Sequence, residues 1–84
     1  MKNKLLVIVY VPLLEKSFDV YIPIFKKIGV VKKLIIDSVV ENSEGTFVDD
    51  GCRYLFDKLT GEKLEENIFV KNSNIKNGTK LILY

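Results

Sequence analysis

The chain has 84 residues, a formal net charge of +2, one cysteine and no histidine, and its length predicts a single domain over 1–84. Without histidine it lacks Ser–His–Asp and Cys–His nucleophile systems and the common zinc ligand sets. One cysteine cannot form an internal disulfide, which favours a reducing compartment such as the cytoplasm. These exclusions favour a folded domain that works by binding, is not an enzyme and needs no cofactor.

The first third of the chain predicts two strands joined as a hairpin. Lys4–Val11 is a continuous apolar and largely β-branched run, which is typical of a central strand. Ser17–Ile22 alternates apolar with polar side chains, as half-buried strands do. Pro12 and Pro23 follow the two runs and end them, because proline cannot donate to the hydrogen-bond ladder of a sheet.

The same N-terminal segment has a second interpretation as a targeting signal. Met1–Lys4 is basic and Leu5–Leu14 is apolar, as in a signal peptide. The apolar stretch is too short to cross a membrane, and no small-residue cleavage site follows it. We therefore favour the strand, and an exported surface protein remains an alternative hypothesis.

One amphipathic helix is predicted over Lys27–Asn42. Its apolar residues recur at helical spacing and are expected to face the core. They are Ile28, Val31, Leu34, Ile35 and Val39. The segment that follows, up to Gly45, is typical of a helix C-terminus.

The second half of the chain predicts short strands separated by turns. Cys52–Phe56 predicts a third strand, and Thr79–Tyr84 predicts the last one, after the turn signal Asn77–Gly78. Between them, Asp57–Glu62 predicts a turn and Lys63–Glu65 a very short strand. The resulting order, β-β-α-β-(short β)-β, predicts an α+β fold with a mixed sheet of four to five strands and one helix packed on one face.

Apolar positions over nearly the whole chain resemble those of the ubiquitin-like, or β-grasp, family. They are Phe18, Val20 and Ile22 in the second strand, Ile28, Val31 and Ile35 in the helix, and Tyr54–Phe56, Leu64, Val70, Ile75, Leu81 and Leu83 beyond it. Within that fold, Val30–Ile35 and Asn74–Leu81 look most like the YukD-like proteins of bacterial type VII secretion loci. The resemblance implies the ubiquitin-like β-grasp fold and a role in secretion through protein–protein contact.

The resemblance also implies what this sequence does not do. Ubiquitin-like proteins that are conjugated, and those that carry sulfur, end in a flexible tail with two glycines. This sequence ends on Lys80–Tyr84, within the predicted last strand. We therefore expect no covalent conjugation through the C-terminus. Ferredoxin-like members of the fold need four cysteines, and this chain has one.

Metal ions and nucleic acids are disfavoured as ligands. The acids at Asp49–Asp50 and at Glu62–Glu66 do not have the spacing of a calcium-binding loop. A sequence pI of about 8.7 and a single arginine are not typical of a nucleic-acid-binding surface. Cys52 lies at the start of a predicted strand, away from any helix terminus that would activate it.

The outer face of the sheet is the predicted functional surface. The first strand is apolar on both sides, yet a single helix covers only one face. Either alternate set of that strand could lie outside. Further along, Leu81 and Leu83 are expected to face the helix, as are Tyr54 and Phe56, and their neighbours to face away. The predicted protein-binding patch consists of Leu6, Ile8, Arg53, Leu55, Lys80 and Ile82.

These observations lead to two hypotheses of function. The first is a non-catalytic, cytoplasmic, ubiquitin-like interaction domain that is an accessory or regulatory component of a bacterial type VII secretion system. Its partner would be a protein, either a component of that machinery or a second copy of the chain, with no nucleic acid and no direct membrane insertion. The alternative is a ubiquitin-like interaction domain or subunit of an unrelated enzyme complex.

Overall fold

The computed structural model describes residues 3–84. Their elements are β1 (Lys4–Val11), β2 (Lys16–Pro23), α1 (Ile28–Asn42), β3 (Leu55–Asp57), the 3-10 helix Val70–Asn72 and β4 (Thr79–Leu83). The strands form one sheet in the order β2-β1-β4-β3. β1 runs parallel to β4, and the β1–β2 and β3–β4 pairs are antiparallel. The predicted α+β class and mixed sheet are therefore confirmed.

The most apolar strand, β1, lies inside the sheet between β2 and β4. The backbone of β1 pairs with neighbouring segments on both sides. On one side, Leu6 is paired with Tyr21 of β2. On the other side, the Leu6 N–H donates to Asn77 Oδ1 at 2.9 Å, and its carbonyl accepts the Gly78 N–H at 2.8 Å. Gly78 has a φ of +85°, a conformation that favours glycine, and this turn leads the chain into β4 beside β1.

The core lies between the inner face of the sheet and α1. In residues 3–84 the buried side chains are all apolar. They are Val7, Val9, Val11, Ile22, Ile28, Val31, Ile35, Ile36, Val39, Phe47, Leu55, Val70, Ile75, Leu81 and Leu83. Phe18 and Val20 of β2 pack against this cluster from the rim, so the inward face predicted for the second strand is confirmed.

The helix is rotated slightly from the predicted orientation. Leu34 was expected in the core but is 47% exposed, and Ile36 is buried in its place. The loop after the helix explains the difference, because it packs on the flank that carries Ile36. Phe47 of that loop is fully buried in the same cluster, and Asp49 and Arg53 line a small cleft with Ile36. The flank that carries Leu34 has no such cover.

The third strand is shorter than predicted, and its register is shifted by one residue. Leu55 pairs with Leu83, and directly paired residues of an antiparallel ladder project on the same side of the sheet. Leu55 is therefore buried with Leu83, and the outward orientation expected for it is wrong. Tyr54, expected to face inward, is 40% exposed. The short strand predicted at 63–65 is reduced to one bridge, between Phe56 and Lys63.

Candidate protein-binding face of the sheet

An apolar strip runs along the outer face of the two central strands. Alternation places Leu6, Ile8 and Tyr10 of β1 on the side opposite the buried valines. Tyr10 is in register with Ile82 of β4, and Ile8 is in register with Lys80. All the apolar members are half-buried. We call Leu6, Ile8, Tyr10 and Ile82 the outer strip; α1 lies on the other side of the sheet and does not cover it.

Aromatic side chains extend the outer strip on both sides. Tyr21 of β2 lies opposite Leu6 in the ladder and is 55% exposed. Phe56 of β3 is in register with Ile82. The ring of Phe56 meets that of Tyr84 edge to face, with centroids 5.6 Å apart. Large apolar and aromatic side chains thus continue across all four strands, which is the composition of the central part of protein interfaces.

Basic side chains surround the outer strip. The Lys58 ammonium lies 5.2 Å from the centre of the Tyr10 ring, a cation–π contact. Lys4 and Lys80 are exposed at outward positions of β1 and β4. Within residues 3–84 none of these three lysines forms an ion pair. Asp19 of β2 is an acid on the same face, opposite Ile8. The face is therefore predominantly positive and suits an acidic partner.

Four of the six predicted patch residues come together here, and two do not. Leu6, Ile8, Lys80 and Ile82 share the outer face, as predicted. Leu55 lies in the core because it is paired with Leu83. Arg53 belongs to the loop on the helix side and is a second correction.

The contacts of Arg53 explain why it lies on the helix side. The guanidinium carbon lies 4.2 Å from the centre of the Phe47 ring, and Nη2 donates to the Val48 carbonyl at 3.1 Å. Arg53 Nε is 3.6 Å from Asp50 Oδ1. These contacts fold the loop onto itself, so Arg53 stabilises the loop that covers α1 and is not available on the outer face.

The predicted patch left out Tyr10 and Tyr21, and the inward orientation expected for Phe56 is wrong, because Phe56 is paired with the outward Ile82. Tyr10 could have been found, because it alternates with Val9 and Val11 once the inward set of β1 is known. Phe56 could not, because its orientation depends on the register between β3 and β4.

On the opposite side of the molecule, ion pairs attach the loop to the helix. Lys33 Nζ lies 3.0 Å from both Asp37 Oδ1 and Asp49 Oδ2. The Gly51 N–H donates to Asp49 Oδ1 at 3.0 Å, and this bond, followed by the Lys33 ammonium, lowers the pKa of Asp49 below its ordinary value. Asp37, followed by Asp49, raises the pKa of Lys33. Lys33 and Asp49 line the same small cleft as Ile36 and Arg53, and their ion pair attaches the loop to the helix.

In the part of the chain that the structure describes, no three His, Cys, Asp or Glu side chains are grouped so that they could hold a metal ion. Over the same residues, no helix has the length and apolar character needed to cross a membrane.

Comparison with known proteins identifies the fold. Neither a family model nor a curated protein matches the chain. Among solved structures, the EccD5 ubiquitin-like domain from Mycobacterium xenopi matches 96% of this chain and 92% of its own, with a TM-score of 0.78 and 14% identity. A chain of the MycP5-free ESX-5 inner membrane complex matches over 98% of this chain but 21% of its own, with a TM-score of 0.73 and 15% identity.

The similarity extends beyond that complex. The ubiquitin-like domain of the Arabidopsis thaliana protein At2g32350 has a TM-score of 0.69 and 19% identity, and covers 98% of this chain and 77% of its own. The structural neighbours are thus ubiquitin-like domains, and the chain has the ubiquitin-like fold, as the sequence resemblance implied. At these identities the comparison shows the fold and does not show the function.

Proposed function

We propose that this chain is a non-catalytic, cytoplasmic, ubiquitin-like interaction domain that binds an acidic protein partner through the outer face of its sheet. We further propose that it serves as an accessory or regulatory component of a bacterial type VII secretion system. The observation that carries the binding role is the outer strip: the inner face is buried under α1, whereas the four large apolar side chains of the strip lie on the face that no helix covers within residues 3–84.

The energetics of the outer strip fit binding. Complete burial of a leucine- or isoleucine-sized side chain contributes about 1.5–3 kcal/mol before the costs of association are subtracted. Ile8 and Ile82 are half-buried already, so each has only part of that gain left for an interface. Several such side chains acting together are needed, and the outer strip supplies four. The lysine rim adds partner selection and a faster encounter with an acidic surface.

Two observations support the secretion role. The resemblance of Val30–Ile35 and Asn74–Leu81 to YukD-like proteins comes from the sequence. The similarity to the EccD5 domain and to a chain of the ESX-5 inner membrane complex comes from the fold. Both are consistent with a domain that works in contact with other proteins.

The similarity to plant and other ubiquitin-like domains favours a second candidate. The Arabidopsis domain is structurally similar at a TM-score of 0.69, and a fold shared so widely serves many assemblies. The alternative is therefore an interaction domain or subunit of an unrelated enzyme complex, which would use the same outer face.

Identification of the partner in the native cell tests both candidates. The chain carries an affinity tag, complexes are cross-linked in the cell, and captured proteins are identified by mass spectrometry. We expect a secretion-system component, such as the membrane ATPase or a WXG-type substrate. Capture of subunits of another enzyme would support the alternative. Capture of the chain alone would replace both with self-association, which sedimentation measures directly.

A matched pair of variants shows whether the outer face is the binding surface. Ile82→Asp places a carboxylate in the outer strip, and we expect at least a tenfold loss of the captured partner. Val30→Asp is the control: Val30 is 49% exposed on α1, away from the outer face, and its place in the first helical turn favours an acid. Equal capture by both variants, each with a normal melting transition, would contradict the proposal.

A further inference from the structure

Leu59 is the most exposed large apolar side chain in residues 3–84. It is 96% exposed, whereas the other exposed large apolar residues range from 37% to 64%. It lies in the turn Asp57–Glu62 that follows β3. Single exposed apolar residues are common on protein surfaces, so the exposure of Leu59 has meaning only through the geometry around it.

The turn that carries Leu59 is held by a dense set of hydrogen bonds. Asp57 Oδ1 accepts the Leu59 N–H at 2.7 Å and the Thr60 N–H at 3.2 Å. The Asp57 carbonyl accepts the Gly61 N–H, and the Asp57 N–H donates to the Glu62 carbonyl, both at 2.8 Å. Gly61 has a φ of +76°, which a side chain would strain. The backbone under Leu59 is therefore ordered before any partner binds.

The same turn is attached to the margin of the outer face. The Lys58 N–H donates to the Lys80 carbonyl of β4 at 3.0 Å. The Lys58 side chain then crosses to the Tyr10 ring of the outer strip, 5.2 Å away. Leu59, Lys58 and Lys80 together line a groove of about 550 Å³, which opens beside the turn. Leu59 thus lies beside Lys58 and Lys80 at the margin of the outer face, and neither lysine forms an ion pair in the described residues.

We propose that Leu59 is the anchor of this interface and that the partner offers an apolar pocket with carboxylates at its rim. The inference rests on the proposed function, because it places Leu59 in contact with the protein that covers the outer face. A preformed turn loses little conformational freedom on binding, and an almost fully exposed leucine gains the most from burial. The lysines on either side meet the acidic rim of the pocket.

A photo-reactive side chain tests which molecule Leu59 meets. A benzophenone amino acid replaces Leu59 in the full chain, in the native cell, and replaces Leu13 in the control. Leu13 is 64% exposed in the turn between β1 and β2. We expect a light-dependent adduct from position 59 and none from position 13. The cross-linked partner peptide should carry apolar residues next to Asp or Glu. Absence of an adduct, or an adduct with a second copy of this chain, would overturn the inference.

Affinity measurements with the partner identified by that adduct complete the test. Leu59→Ser should weaken binding by about 10-fold or more, while Leu59→Met, which keeps an apolar side chain of similar volume, should stay within about 3-fold. Leu13→Ser should bind as the wild type does. All three variants should melt at the wild-type temperature, because neither leucine is buried.

The outcomes separate this inference from the proposed function. If Ile82→Asp abolishes binding and Leu59→Ser does not, the outer face is the interface and Leu59 is not its anchor. If neither variant changes binding, both proposals fail. Because a leucine between lysines also suits an anionic membrane, vesicles containing phosphatidylserine provide the competing probe. Binding to them that is lost in Leu59→Ser would overturn the protein pocket in favour of lipid.

Discussion

The two faces of the central strands both carry large apolar side chains but have different environments. On the inner face, Val9 and Leu81 lie side by side and are fully buried. On the outer face, Tyr10 and Ile82 lie side by side one residue further along and are only half-buried. α1 and the loop anchored by Phe47 cover the inner face and leave the outer face bare. Apolar side chains on the inner face therefore serve stability, whereas those on the outer face are free to serve binding.

The charged residues follow the same division. Lys4, Lys58 and Lys80 flank the outer strip without ion pairs in the described residues, and the two lysines of α1, Lys32 and Lys33, are in ion pairs. Lys32 bonds Glu66 at 2.9 Å, and Lys33 bonds Asp49. The two lysines of α1 are thus compensated by carboxylates, whereas the three lysines beside the outer strip are not.

The largest expected difference between the two faces is between Leu55→Asp and Ile82→Asp. Leu55 is 2% exposed in the core, and an unpaired carboxylate there costs more than about 4 kcal/mol, enough to unfold a small domain. Ile82→Asp should keep a cooperative transition with a loss of about 1 kcal/mol, because its side chain remains accessible to water. Chemical denaturation followed by circular dichroism measures both. A folded Leu55→Asp variant would show that β3 has the opposite register.

A smaller difference is expected between two adjacent residues of α1. Ile35 is fully buried and Leu34 is 47% exposed. Ile35→Ala leaves a cavity and should lower the free energy of unfolding by about 2–5 kcal/mol. Leu34→Ala should change it by less than about 1 kcal/mol, since alanine is the better helix former and little packing is lost. The denaturation midpoints of the two variants, compared where the denaturant dependence of the free energy is unchanged, check the orientation of the helix. Similar losses of stability in Ile35→Ala and Leu34→Ala would contradict it.

The smallest effect concerns the Lys33–Asp49 ion pair between α1 and the loop that follows it. It appears as a pH dependence of the free energy of unfolding. The bond from the Gly51 N–H, followed by Lys33, lowers the pKa of Asp49 below its ordinary 3.8. The ionised form is thus favoured in the folded state, so its contribution is present above pH 3.8 and is lost as the pH falls through the lower folded-state pKa. Asp49→Asn should therefore be slightly less stable than wild type at pH 7.

Denaturation midpoints of the two proteins should converge as the pH is lowered below 3.8 and through the folded-state pKa of Asp49, because protonated Asp49 resembles asparagine. Asp19→Asn, on the outer face and without an ion pair in the described residues, is the matched control for the Asp→Asn change itself. A difference between Asp49→Asn and wild type that stays constant over this range would mean that the loop is held by Phe47 and Arg53 and not by the Lys33–Asp49 pair.

The amino-acid sequence by itself determined the elements that have long periodic patterns. The eight-residue, largely apolar strand β1 has the bounds predicted, and α1 begins one residue after its predicted start and ends where expected. The alternation of β4, with Leu81 and Leu83 inward and Ile82 outward, was also predictable. In these segments the apolar residues recur with a regular period over several residues, so the sequence pattern alone specifies which face is buried.

Only the tertiary structure decided the short and irregular parts. β3 has three residues, too few for alternation to specify a face, and the pairing of Leu55 with Leu83 determined its register. Phe47, in the loop after α1, packs in the core together with Ile36, and Leu34 on the other flank of the helix stays exposed. Arg53 stacks on the Phe47 ring and therefore does not lie on the outer face. The orientation of these residues depends on which distant segment packs against them, and a local sequence pattern contains no information about that contact.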